Sequence, residues 1–103
     1  MLFRSIPLAG IPSALPALQL AAKLQKRAPA GGLASDAGSP GRVRERLDGL
    51  AGAAGTEGLE AAVGELLFEV VALARASGVE PEAALRATAR RFRARFLAAT
   101  PES

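Results

Sequence analysis

Two carboxylates with the spacing of helix neighbours, Glu65 and Glu69, are the first residues in this sequence that could do chemistry. They lie four positions apart in a segment with helical periodicity, so they share one helix surface. The chain contains neither histidine nor cysteine, which excludes histidine-based catalysis, disulfides and thiolate zinc sites. A metal ion would therefore need oxygen ligands, as magnesium, manganese and calcium do.

The segment from Gly58 to Ser77, which carries both carboxylates, is the predicted centre of the fold. Its apolar residues recur at intervals of three and four, as on one wide helical face: Leu59, Val63, Leu66, Leu67, Val70, Val71 and Leu73. We expect Thr56 to be the N-cap of this helix. We expect Gly78 to end it in a left-handed backbone conformation.

Three more helices are predicted around this central one. The first opens at Pro12 and Ser13 and stops before Pro29. The second begins with Ser39 as N-cap and continues over residues 40–54, with proline at its first helical position. The fourth begins at Glu80 and Pro81 and ends near Pro101. One stripe of this last helix is apolar or nearly so, and consists of Leu85, Thr88, Phe92 and Phe96.

These elements predict an all-α domain, a four-helix bundle with no competing strand pattern. At 103 residues the chain forms one domain, of a size at which a partner subunit helps stability. We expect residues 1–11 to form an extended arm, residues 12–100 the domain and residues 101–103 a tail. The loop over residues 29–41 is rich in Gly, Ala and Ser, so little is expected to pack there. The third and fourth helices should form an antiparallel pair.

The charges are unevenly distributed, although the net charge is only +3. Five arginines crowd the last helix: Arg86, Arg90, Arg91, Arg93 and Arg95. They could attract phosphates, or they could simply form a solvated helix face. Nucleic-acid binding is disfavoured, because the chain has no Tyr or Trp for base stacking. No apolar run reaches the ~20 residues that span a bilayer, and we expect a cytoplasmic protein with no membrane partner.

Four segments follow one another in an order that resembles a known family. They are IPSALPALQLAAKLQKRA (residues 11–28), RVRERLDGL (42–50), AVGELLFEVVALARASGVEPEAALR (62–86) and RRFRARF (90–96). They resemble, in this order, four segments of MazG-type nucleotide pyrophosphohydrolase domains. The first two are the opening helix and the helix with the pattern Glu-Glu-x-x-Glu. The last two are the helix with the pattern Glu-x-Gly-Asp-Leu-Leu-Phe and its following turn, and the terminal pattern Lys-Phe-x-x-Arg-Phe. The resemblance implies a helical homodimer that uses magnesium to hydrolyse a nucleoside triphosphate to the monophosphate and pyrophosphate. Divalent ions suit this reaction because they neutralise the polyphosphate and orient a water.

The acidic positions of that family are only partly kept. In the first acidic helix Glu45 matches the first glutamate, but Arg46 and Gly49 replace the other two. In the next, Ala62 replaces the glutamate and Glu65 replaces the aspartate. The resemblance therefore leaves Glu45 and Glu65 as the catalytic residues and metal ligands. Arg46 could pair with either carboxylate and take the place of the ion.

Two other carboxylates could shift into the vacated ligand positions. Asp48 lies three residues after Glu45, and Glu69 lies four after Glu65, which makes a displaced cluster geometrically conceivable. The alternative is that Asp48 and Glu69 are ordinary solvated helix charges. The resemblance places two cations near the substrate phosphates: Lys23 and Arg91.

Two functions remain open at this point. The first is a MazG-like, magnesium-dependent pyrophosphohydrolase domain that is catalytically impaired because most acidic ligands are replaced. The alternative is a non-catalytic helical module that serves dimerisation or regulation. Nucleic-acid binding through the arginine-rich helix is a third, weaker hypothesis, because no recognition motif accompanies the charge.

Overall fold

Four α-helices packed together make up the computed structural model, which describes residues 10–12, 14–29 and 31–99. The helices are α1 (Ala17–Arg27), α2 (Pro40–Ala51), α3 (Gly55–Ala76) and α4 (Pro81–Ala99). Most of the predicted arm and the whole of the predicted tail, residues 101–103, lie outside these ranges. None of the helices described is long and apolar enough to cross a membrane.

Three predicted helix boundaries are confirmed. Ser39 caps α2, because its Oγ accepts a hydrogen bond from the backbone N–H of Arg42 at 3.2 Å, and Pro40 follows at the first helical position. Glu80 caps α4 by accepting hydrogen bonds from the N–H groups of Glu82 and Ala83. Gly78 follows α3 with a φ of +76°, the left-handed conformation that glycine adopts without strain.

Two helix starts differ from the prediction. α1 begins at Ala17 instead of Pro12, because Pro16 has an extended backbone with ψ of 143°, and a residue preceding a proline is also disfavoured in helical conformation. Ser13, the second residue of the predicted helix start, lies outside the described residues. α3 begins at Gly55, and its N-cap is Ala54, which makes no side-chain hydrogen bond. Thr56 therefore lies within the first turn and does not cap the helix.

Helix α3 is the centre of the fold, as predicted, since it contacts α1, α2 and α4. Its apolar face is only partly covered, however. The buried apolar residues of α3 are Val71 and Ala72. Along the helix a second apolar stripe stays exposed and consists of Leu59, Val63, Leu67 and Val70. The internal core of this chain is therefore small.

The second half of α4 projects away from the other helices. Pro81 is buried, but every residue from Thr88 to Leu97 is exposed, so the predicted stripe over Phe92 and Phe96 finds no cover within this chain. The radius of gyration is 16.9 Å, compared with ~13 Å for a compact domain of about 100 residues. Only the first turns of α4 therefore pack against α1 and α3.

The loop between α1 and α2 packs more closely than its composition suggests. Gly38 is buried, with a φ of +88°, and a Cβ built on it would lie 2.7 Å from the carbonyl oxygen of Ala72. Two turns precede α2, closed by the hydrogen bonds from Ala37 N to Ala34 O and from Ser39 N to Asp36 O, both 3.0 Å. Gly38, near the end of the loop, thus lies directly on the backbone of α3, whereas the prediction was that little of the loop packs.

Candidate functional site

The acidic surface of α3 is paired with arginine from α2. Arg46 donates from Nη1 to Oε1 of Glu65 at 3.2 Å, and its Nε lies 3.7 Å from Oε2 of Glu69. The predicted pairing of Arg46 with Glu65 is therefore confirmed. A single guanidinium group bridges the two carboxylates that stand four positions apart on α3.

A second arginine of α2, which the sequence analysis did not single out, contacts the same carboxylate. Arg42 donates from Nη2 to Oε2 of Glu69 at 3.1 Å, and its Nε lies 3.7 Å from Oδ1 of Asp36 in the loop before α2. The side chain of Glu69 is only 7% exposed. The interpretation of Glu69 as a solvated helix charge was wrong, because the carboxylate is buried between α2 and α3.

A buried carboxylate needs counter-charges and hydrogen-bond donors, and some polar atoms of this cluster have no hydrogen-bond partner. Glu69 Oε1, Arg42 Nε and Gln25 Oε1 are buried without a hydrogen-bond partner in the structure. Gln25 itself crosses from α1 to α3, donating from Nε2 to the carbonyl oxygen of Phe68 at 2.9 Å. An unsatisfied buried polar atom costs about 1–3 kcal/mol. Removing one charged partner from such a cluster would cost more still.

The remaining predicted ligands lie on the solvent side of α2. Glu45 and Asp48 are both exposed, and neither is paired with a cation within 4.0 Å among the residues described. Asp48 is thus a solvated helix charge, as the alternative interpretation predicted. Over the same residues no three acidic side chains come close enough to hold a metal ion together.

The arrangement does not fit the magnesium site that the family resemblance implies. Glu65 and Glu69 are both paired with Arg46, and Glu69 is paired with Arg42 as well. A divalent cation placed beside these guanidinium groups would be repelled by them. We call the ion-paired group of Arg42, Arg46, Glu65 and Glu69 the α2–α3 cluster. Of the two predicted catalytic carboxylates, only Glu65 belongs to it. Glu45 contributes no described contact to it.

The two predicted phosphate-binding cations also lie apart. Lys23 lines a groove beside the turn between α3 and α4, together with Lys26 and Arg75. Arg91 lies on the exposed half of α4, where its Nη2 donates to Thr88 Oγ1 at 3.0 Å. The structure therefore gives Lys23 and Arg91 different surroundings.

An apolar face continues from α3 onto α4 and contains a groove of about 310 Å³. Leu67 and Val70 of α3 line this groove together with Leu85 of α4 and Leu18 of α1. We call the exposed set the α3–α4 face, and its members are Leu67, Val70, Leu85, Phe92 and Phe96. Exposed apolar area of this extent typically marks an interaction surface.

The charges beside the α3–α4 face have opposite signs on the two helices. From Gly55 to Ala74 α3 carries no basic residue; Glu57 and Glu60 are exposed, whereas Glu65 and Glu69 are already paired with the arginines of α2. From Leu85 to Ala99 α4 carries basic residues and no acidic one: Arg86, Arg90, Arg91, Arg93 and Arg95. The two helices therefore have complementary electrostatic surfaces.

Comparison with known proteins does not assign the chain to a family. No protein-family model matches the sequence, and no curated protein matches it either.

Proposed function

We propose that this chain is a MazG-like helical domain that has lost metal-dependent hydrolysis and acts as a helical dimerisation or regulatory module. The observation that carries this proposal is the bridge from Arg46 to Glu65 and Glu69. Arg46 is a fixed cation paired with Glu65, one of the two carboxylates that the resemblance implies as magnesium ligands. Because the guanidinium groups of Arg42 and Arg46 already supply counter-charges to these carboxylates, no exchangeable ion is needed to stabilise them.

The homodimer is supported by the small core. Val71 is the only described residue with a large side chain that is fully buried, although the sequence is half hydrophobic. A second copy would cover the α3–α4 face and enlarge the core without any change within the chain. Soluble homo-oligomers are most often two-fold dimers, in which the same surface of each subunit contacts its counterpart.

Charge complementarity favours a second copy over an unrelated partner. In a two-fold arrangement the acidic half of α3 in one protomer can lie beside the basic half of α4 in the other, and the same contact then forms twice. Glu57 and Glu60 have no described ion-pair partner within the chain, and neither do Arg90 and Arg93. Opposite charges arranged in this way orient the subunits and fix the register of the interface.

Two measurements on the purified protein test the proposal. Light scattering after size exclusion, over a dilution series, should give the mass of two chains, about twice 10.5 kDa. Incubation with a panel of nucleoside triphosphates and magnesium should release no pyrophosphate above the buffer control. A monomer at every concentration would contradict the dimer, and turnover abolished by Glu65→Ala would contradict the loss of catalysis.

A divergent pyrophosphohydrolase is the second candidate. Its support is that Glu45 and Asp48 stand three positions apart on α2, exposed and without a described cation partner. In this case pyrophosphate release should be measurable and should fall strongly in Glu45→Ala, whereas Arg44→Ala on the same helix should have no effect. Absence of release with every nucleotide would reject this candidate.

A further inference from the structure

The exposed apolar residues of α3 and α4 have the same spacing when the two helices are read in opposite directions. Four positions of α3, which we call the α3 stripe, are separated by four, four and three positions: Leu59, Val63, Leu67 and Val70. Four positions of α4, which we call the α4 stripe, have the same separations when read backwards: Phe96, Phe92, Thr88 and Leu85. Each stripe is about 17 Å long, at a rise of about 1.5 Å per residue. An antiparallel pair of helices in this register matches all four positions.

One half of this register is formed within the chain. Leu67 and Val70 line a groove together with Leu85 and Thr88, so the C-terminal half of the α3 stripe faces the first half of the α4 stripe. Thr88 fits an apolar groove because its hydroxyl group donates to the carbonyl oxygen of Ala84 in its own helix at 3.1 Å.

The other half of the register has no partner within the part of the chain that the structure describes. Leu59 and Val63 are exposed on α3, and Phe92 and Phe96 are exposed on α4. Because every residue over 88–97 is exposed, this end of α4 does not cover the α3 of its own chain. Two apolar surfaces with the same spacing are therefore left open, one on each helix.

The charges beside these two open surfaces are complementary. Glu60 follows Leu59 by one position, and Arg93 follows Phe92 by one position, so both are rotated by about 100° in the same sense from their stripes. In an antiparallel pair, positions rotated in the same sense lie along the same edge. The register offsets Glu60 and Arg93 by about 3 Å along the helix axis. Neither residue has an ion-pair partner within 4.0 Å among the residues described.

We propose that two copies of this chain exchange the ends of α4, so that residues 88–97 of each copy lie antiparallel along residues 59–67 of α3 in the other copy. The register is that of the matched stripes, which sets Phe92 of one copy on Val63 of the other. The proposal rests on the homodimer proposed above, and adds to it the direction, the register and the segment that each copy contributes. Exchange of an element between identical subunits is a low-cost route to a dimer. Here it covers the apolar surfaces that one chain leaves open, and forms the charged contact twice.

Disulfide trapping between two single-cysteine variants tests the register, because the chain contains no cysteine of its own. Val63→Cys and Phe92→Cys are mixed in equal amounts at a concentration where light scattering shows the dimer, and are equilibrated in a glutathione redox buffer. Mass spectrometry then measures the disulfide between the two variants and the disulfides of each variant with itself. We expect the mixed disulfide to be at least about tenfold more abundant than either self-disulfide, because the contact raises the effective concentration of the two thiols to the millimolar range.

Leu47→Cys mixed with Phe92→Cys is the matched control for this trapping experiment. Leu47 is exposed to a similar extent but lies on α2, outside both stripes. The mixed disulfide of this control should show no such excess over the self-disulfides.

A charge reversal tests the same register without changing the apolar stripes. Glu60→Arg should raise the dissociation constant of the dimer about tenfold, because an attraction becomes a repulsion at two symmetric places. Adding Arg93→Glu to this variant should restore the constant to within about twofold of the unmodified chain. Adding Arg90→Glu instead gives the same net charge but should not restore it, since Arg90 lies about 160° around the helix from Phe92.

The outcomes separate this proposal from the dimer itself. A dimer that shows neither an excess of the mixed disulfide nor restoration by Arg93→Glu would overturn the exchange and leave the dimer standing. A monomer at every concentration would overturn both. In a single chain that carries Val63→Cys with Phe92→Cys we expect disulfides between chains. A disulfide within one chain as the main product would show that α4 closes on its own α3, and would overturn the exchange.

Discussion

Arg42 of α2 donates from Nη2 to Oε2 of Glu69 at 3.1 Å, and this contact joins two helices through a carboxylate that is 7% exposed. The pair is not an exposed ion pair of the kind that contributes little to stability. Because the Glu69 carboxylate is removed from water, its arginine partners strongly affect how stably α2 packs on α3.

We expect the substitution Arg42→Ala to destabilise the fold by about 3 kcal/mol, because it leaves a buried carboxylate with only the more distant Arg46 as counter-charge. The paired substitution Arg42→Met with Glu69→Leu should restore stability to within about 1 kcal/mol of the unmodified chain, since apolar groups of similar volume replace the charges. Urea unfolding at a fixed protein concentration measures both effects.

Arg44→Ala is the control for this comparison, because Arg44 is exposed on the same helix and surface changes shift the free energy of unfolding by about 0.5 kcal/mol or less. If Arg42→Ala unfolds at the same urea concentration as this control, the contact between Arg42 and Glu69 contributes nothing to stability.

Replacing the arginine bridge by carboxylates should create a magnesium site. The substitutions Arg46→Glu and Ala62→Glu return two acidic residues to positions where the MazG resemblance expects them. We expect this variant to be less stable without metal, because the clustered carboxylates repel one another. Magnesium should stabilise it. At a concentration tenfold above the dissociation constant the gain is about 1.4 kcal/mol, measured as a rise in the thermal midpoint.

The control for this variant carries the same charge change at exposed neighbours, Arg44→Glu with Ala61→Glu. Its thermal midpoint should not respond specifically to magnesium. The prediction fails if the unmodified chain is stabilised by magnesium as much as the designed variant, because the ion would then bind despite Arg46.

Charges placed on the α3–α4 face should separate the proposed dimer. Leu85 and Phe92 are 56% and 63% exposed, so Leu85→Lys with Phe92→Lys is tolerated by the monomer but unfavourable in an apolar interface. We expect the dissociation constant to rise at least about 100-fold, since loss of each buried apolar contact costs roughly tenfold or more. Light scattering over a dilution series gives the constants.

Leu47→Lys provides a control with similar exposure, because Leu47 is 53% exposed but lies on α2, outside the face. A dimer that persists in the double variant, or that dissociates equally in the control, would show that the interface lies elsewhere.

Gly38 should be far less tolerant of a side chain than Gly78, although both have positive φ. At Gly38 the added Cβ would lie 2.7 Å from a carbonyl oxygen of α3, whereas at Gly78 it would meet no atom within 4 Å. We expect Gly78→Ala to cost about 1–2 kcal/mol for the left-handed backbone alone. Gly38→Ala should cost about 1–3 kcal/mol more because of the clash.

Thermal or urea unfolding of the two alanine variants measures this difference directly, and each variant serves as the other's control. Equal stabilities would mean that the loop before α2 does not lie against Ala72 in solution.

The sequence predicts those features that depend on neighbouring residues. Ser39 followed by Pro40, Glu80 followed by Pro81, and Gly78 mark helix ends because each acts within one turn of its own position. The start of α1 was misjudged because both Pro12 and Pro16 can precede a helix. A local signal does distinguish them, because a helix that began at Pro12 would contain Pro16 in its interior, where a proline interrupts the helix.

Features that depend on distant residues could not be predicted. The burial of Glu69 requires Arg42, which lies 27 positions earlier, and charged residues are otherwise rarely buried. Gly38 has the composition of an open loop, but its contact with α3 is decided by tertiary packing. The periodicity of α4 correctly predicts an apolar stripe over Phe92 and Phe96, yet periodicity does not say which surface covers it.

Helix α2 contains no buried residue, although it lies along α3. It supplies both arginines of the ion pairs with Glu65 and Glu69. Its attachment thus depends more on Arg42 and Arg46 than on burial of apolar side chains. A segment with few buried apolar contacts has a low free energy of local unfolding. Amide hydrogens of α2 should accordingly exchange with solvent before those around Val71, and raised ionic strength should widen that gap by weakening the more exposed Arg46–Glu65 pair.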